Sequence, residues 1–90
     1  METNALCLKI DGNNVMADLL NAEESLEGRR ELALDFSSVS RIDSVGLEGL
    51  QSLAHRAEEK ETKVVLRSVN VNVYKTLKLA RLTPRFSFVN

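Results

Sequence analysis

Ninety residues, 43% of them hydrophobic and 28% charged, make a chain the size of a single domain, residues 1–90, with the composition of an ordinary globular protein. A formal charge of -1 and only four aromatic residues (Phe36, Tyr74, Phe86, Phe88) lack the electrostatic footprint of a nucleic-acid binder and point to a protein partner. No apolar run approaches the roughly 20 residues that span a bilayer, and the start lacks the basic and long apolar segments of a secretory signal. The expectation is a cytoplasmic chain with no direct membrane insertion.

Leu6, Leu8 and Ile10 alternate with Ala5, Cys7 and Lys9, the pattern of a strand with one face more deeply buried than the other. Cys7, the only cysteine, has no partner for an internal disulfide. Asp11, Gly12, Asn13 and Asn14 turn the chain, and either asparagine suits the cap of a helix with Met16, Leu19, Leu20 and Leu26 on one face, ending at Gly28.

Residues 31–36 alternate Leu32, Leu34 and Phe36 and are too short an apolar run for a buried helix, so they form the next strand. Asp35 stands at its carboxyl end, the edge of an α/β sheet that usually receives ligands and partners. Its expected role is to fix the following loop by accepting backbone N–H groups. After that loop, Leu47, Leu50, Leu53, Ala54 and Ala57 recur at helical spacing from Gly46 to about Lys60, with Glu48, Gln51, Ser52, His55 and Glu59 on the polar side. Ser44 is therefore on, or one residue from, a helix N-terminus, where it or Asp43 can serve as the cap.

Lys63 opens a third strand whose Val64, Val65 and Leu66 predict an interior strand covered on both faces. Asn70 suits the cap of a helix over residues 71–82 with Val73, Leu77 and Ala80 inward. Pro84 cannot continue it, and Phe86, Phe88 and Val89 suggest a last short strand. Lys75, Lys78, Arg81 and Arg85 give the last helix and its exit a basic side, which reads first as a solvated face. The whole is an α/β domain with a roughly four-stranded, mainly parallel or mixed sheet and about three helices.

Ser, His and Asp are all present, but a hydrolase does not fit. Ser44 and His55 lie eleven residues apart on one helix, about 16 Å along its axis, against the roughly 3 Å that a nucleophile and base need. Cys7, His55 and the scattered carboxylates show no metal-ligand spacing, and residues 46–49 lack the surroundings of a phosphate-binding loop. Neither catalysis nor a metal or cofactor is expected.

The strand ending Asp35-Phe36-Ser37, followed by Val39 and by Ile42-Asp43-Ser44-Val45-Gly46-Leu47, resembles the signature of STAS domains, above all the bacterial anti-sigma-factor antagonists. The similarity continues through Val64 to Leu66 and through Val73-Tyr74-Lys75-Thr76-Leu77 to Leu82. The resemblance implies a phosphorylation site at Ser44, with Asp35, Ser37, Ser38, Arg41, Asp43, Val45 and Gly46 forming the partner-binding switch loop. Val45 stands where the family usually carries a second Ser or Thr. It also implies, as partners, an anti-sigma factor with serine kinase activity and a phosphoserine phosphatase. The unmodified domain would hold the kinase and release a sigma factor, and phosphorylation would end that binding. The STAS subunits of bacterial phospholipid-transport ABC complexes are also similar, through Val39-Ser40-Arg41-Ile42-Asp43 and the Val69 to Tyr74 region. Their domain clamps an ABC ATPase subunit without phosphoryl transfer. STAS domains usually carry one more strand before the one that Gly12 closes, and many continue into a further C-terminal helix. With four residues ahead of Ala5 and a stop at Asn90, both are expected to be missing here.

Overall fold

A computed structural model describes residues 5–89, in which four strands and three α-helices alternate along the chain. β1 (Ala5–Lys9), β2 (Glu31–Asp35), β3 (Lys63–Arg67) and β4 (Ser87–Val89) form one sheet in the order β1-β2-β3-β4, every neighbouring pair parallel. Between them run α1 (Val15–Glu24), α2 (Ser44–Glu59) and α3 (Val71–Leu79), with a short 3-10 turn over Thr83–Arg85 leading into β4. The expected shortening before Ala5 lies outside the described residues.

Because spatial order equals chain order, all three crossovers step the same way across the sheet. Right-handed connections then put all three helices on one face. The register shows which residues look toward them. Leu6, Leu32 and Val64 share one row, and Leu8, Leu34, Leu66 and Phe88 share the next but one. Those residues join Leu19, Ala22, Leu50, Leu53, Val73 and Leu77 from the helices in a single cluster. Each fully buried aliphatic side chain there contributes about 1.5–3 kcal/mol relative to exposure.

The prediction that β3 is covered on both faces is corrected by this arrangement. β3 is interior in the sheet, but Val65 points away from the helices and lies outside the core cluster, in one row with Cys7, Ala33 and Ser87. Its exposure is only 7%, while Cys7 on the edge strand of the same face is open to solvent. Flanking strands shade a central side chain without any helix above it, so an apolar triplet in sequence does not distinguish the two environments.

Two helices are shorter than their patterns suggest. α1 stops at Glu24, and the chain turns through Ser25 to Gly28, whose φ of +73° is the left-handed value expected of a glycine after a helix. Leu20, expected inward with Leu19, is instead 52% exposed, and Ala22 takes its place in the core. α3 stops at Leu79 rather than residue 82. Arg81 adopts a φ of +61°, and the Leu82 N–H donates back to the Leu77 carbonyl at 2.9 Å, which closes the helix and drops Leu82 into the core.

Candidate functional site

The carboxyl ends of β1, β2 and β3 each feed the N-terminus of a helix, so the Gly12, Asp43 and Asn70 turns gather along one edge of the molecule. At its centre is the loop of residues 36–43. Its apolar members hold it down: Phe36 and Val39 are buried, as is Ile42 at 8% exposure. Its polar members, Ser37, Ser38, Ser40, Arg41 and Asp43, remain exposed.

Local hydrogen bonds give this loop one shape. Oδ1 of Asp35 accepts the Ser37 N–H at 2.9 Å, as expected for a strand-end aspartate, and the Val39 N–H donates to the Phe36 carbonyl at 2.9 Å. That Ser37 N–H, aided by the Lys9 and Arg67 charges, holds the Asp35 carboxyl below its ordinary pKa. At the far end of the loop, Oδ1 of Asp43 accepts the Gly46 N–H at 2.8 Å, so Asp43 is the cap of α2. Of the two candidates for that task the structure selects Asp43. Ser44 becomes the first residue of the helix, exposed, with its hydroxyl free of capping duty.

Two tertiary contacts that sequence reasoning missed complete the loop. Asn70 caps α3 through Oδ1, which accepts the Val73 N–H at 2.7 Å. Its Nδ2 also donates to the carbonyls of Val39 (3.3 Å) and Ser40 (3.0 Å), tying α3 to the loop. Gly12 lies so close to the Ser38 carbonyl that a Cβ at position 12 would collide with it. The turn residues at 12 and 70 were visible in the sequence; nothing in the sequence showed that both press on residues 38–40.

Beside Ser44, a cleft of about 560 Å³ opens between the start of α1 and the start of α2, lined by Gly12, Asn13, Met16, Arg41, Asp43 and Val45 among others. Val45 is 50% exposed and Met16 37%, so the cleft carries accessible apolar side chains, and Asp43 and Val45 on either side of Ser44 both line it. The loop residues Asp35, Ser37, Ser38, Arg41, Asp43 and Val45 surround this one edge, while Gly46 is buried, with a Cβ there only 3.2 Å from Ile42 Cγ2. His55 is far down α2, paired with Glu59 at 3.3 Å on the solvent side. Among the described residues no group of three or more His, Cys, Asp or Glu side chains converges as a metal site would require. Nor, among the described residues, is any helix long and apolar enough to cross a membrane.

A two-layer α/β domain, one sheet with helices on one face and its candidate site at the sheet's carboxyl edge, is thus the class that fold and site define. Residues 8–90 match the STAS domain family model, and the chain belongs to that family. A comparison with curated proteins finds no significant match. Among solved structures, a candidate anti-sigma factor antagonist from Thermotoga maritima is similar with a TM-score of 0.79 and 19% identity, over 100% of this chain and 82% of that one. A sulfate transporter family protein from Wolinella succinogenes is similar with a TM-score of 0.79 and 20% identity, over 98% and 79%. The anti-sigma factor antagonist SpoIIAA in its unphosphorylated form gives a TM-score of 0.68 at 16% identity, over 96% and 76%. At such identities the likeness is one of fold.

Proposed function

We propose that this protein is an anti-sigma-factor antagonist, a partner-switching domain that binds an anti-sigma factor kinase and is controlled by phosphorylation of Ser44. The observation that carries the reading is the division of labour at the start of α2: Asp43 caps the helix, leaving Ser44 exposed between two residues that line the neighbouring cleft. Likeness in fold to SpoIIAA supports the same reading. A phosphoserine adds about -1.5 to -2 charges, and at an effective dielectric near 20 each like-charge pair about 5 Å apart costs roughly 3 kcal/mol. A hundredfold loss of affinity needs only about 2.7 kcal/mol, so one phosphate at an acidic interface is sufficient. Within the free domain the N-terminus of α2 favours an anion by about 0.3–1 kcal/mol, which partly offsets the repulsion from Asp43.

The test uses the cognate anti-sigma kinase and ATP. Mass spectrometry is expected to place one phosphoryl group on Ser44 and none on the Ser44→Ala chain. Ser44→Ala should bind the kinase undiminished, and Ser44→Asp should bind more weakly, though less so than the phosphoprotein. Equal affinity of the two variants, or a phosphate on Ser37, Ser38 or Ser40, refutes the switch. Co-purification with an ABC ATPase in place of a kinase would assign the domain to the transport-complex class.

A further inference from the structure

The formal charge of -1 conceals a strong segregation. Every Asp and Glu of the chain lies at or before Glu61, whereas residues 63–90 carry Lys63, Arg67, Lys75, Lys78, Arg81 and Arg85 and no acid. Because the strands lie side by side in chain order, separation along the sequence becomes separation in space. The α3 and β4 end of the sheet is cationic. Arg85 is engaged there with Glu58 at 3.0 Å, which neutralises the nearest acid of α2. Lys75, Lys78 and Arg81 are exposed and, among the described residues, form no ion pair.

The same outward face of α3 carries aliphatic side chains that the fold does not use. Val71 is 68% exposed and Leu79 86%, and at helical spacing they flank Lys75 and Lys78 on one side of the helix. Tyr74, 42% exposed, is held edge-on against Phe88 at 5.2 Å along the rim toward β4, where Val89 is also exposed. Exposed aliphatic side chains beside lysines with long apolar stems, on a face that carries no acid, form a cationic surface complementary to anionic headgroups.

We propose that the outer face of α3, made by Val71, Lys75, Lys78 and Leu79, together with Arg81 in the turn that follows, docks the domain reversibly on an anionic lipid surface. The lysines and the arginine meet headgroups while Leu79 and Val71 enter the interfacial layer. This contact is separate from Ser44, which belongs to the α2 start, and it stands or falls independently of the kinase reading. Each cation near an anionic leaflet strengthens binding by about fivefold, and a salt-sensitive, weak attachment is what three cations and two aliphatic side chains provide.

The experiment is co-sedimentation of the full chain with vesicles of phosphatidylcholine alone and of equal parts phosphatidylcholine and phosphatidylglycerol, at low and physiological salt. The chain should partition onto the mixed vesicles only, and less at the higher salt. Lys75→Glu with Lys78→Glu should lower partitioning by about tenfold or more, and Leu79→Ser by about fivefold with the salt dependence retained. These positions are exposed, and unchanged thermal unfolding confirms that the variants remain folded. Lys9→Glu with Arg30→Glu makes the same change in net charge at the other end of the sheet and should leave partitioning intact. Absence of binding to the mixed vesicles, or equal loss in the Lys9 and Arg30 variant, overturns the proposal. Binding of soluble poly-L-glutamate without binding to either vesicle also overturns it, by assigning the face to an acidic protein.

Discussion

At the scale of single residues, the start of α2 separates two neighbours that sequence alone treats as equivalents. Asp43 supplies the cap, so Asp43→Ala should destabilise the fold by about 1 kcal/mol in urea unfolding, while Ser44→Ala should change it by no more than a few tenths. A reversed order would mean that Ser44 is the structural residue and would remove the basis for its regulatory role. Asp35 illustrates a second residue-level effect. Its folded-state pKa is depressed, chiefly by the Ser37 N–H, so its contribution to stability is present above the ordinary carboxylate range. That contribution is lost as the pH falls through its lowered pKa. Comparison of Asp35→Asn with the natural chain by chemical denaturation should show a small advantage for aspartate at neutral pH that disappears under acid. A difference that persists at low pH would trace to side-chain geometry rather than to charge.

At the scale of elements, the switch loop is shaped by what its neighbours press against it. Adding a methyl group at Gly12 drives it into the Ser38 carbonyl, a backbone atom that cannot rotate aside, and Gly12→Ala should cost about 1–3 kcal/mol and displace residues 37–40. Amide chemical shifts in that loop would report the displacement; shifts confined to residues 11–14 would show that the contact is not made. Helix ends follow a different rule. Glu61 closes α2 in the left-handed region at φ +56°, with the Thr62 N–H returning to the Ala57 carbonyl at 2.9 Å, although glycine is the residue suited to that conformation. Glu61→Gly should therefore raise stability by about 0.5–1 kcal/mol, and a loss in thermal unfolding would show that the side chain of Glu61 does more than tolerate its backbone.

At the scale of the molecule, three helices on one face leave the other face of the sheet without a helix among the described residues. Cys7 is its most direct reporter. A thiol reagent should modify Cys7 in the native chain nearly as fast as in urea, and strong protection under native conditions would mean that something covers this face. The ordered sheet also turns a sequence asymmetry into a physical one, because the acid-free stretch of residues 63–90 becomes one end of the domain. Neither property belongs to any one element.

The sequence by itself determined the alternation of strands and helices, the position of the loop after Asp35 and the helix start at residues 43 and 44. Each rests on local periodicity and cap chemistry within a few residues. It also carried the family signature, since that signature is contiguous. Tertiary structure alone decided that Val65 faces away from the helices, that Leu20 lies outside the core and that Gly12 and Asn70 shape residues 38–40. Those outcomes depend on crossover direction and on contacts as far apart as Asn70 and Val39, and hydrophobic patterning records how much of a residue is buried without recording against what.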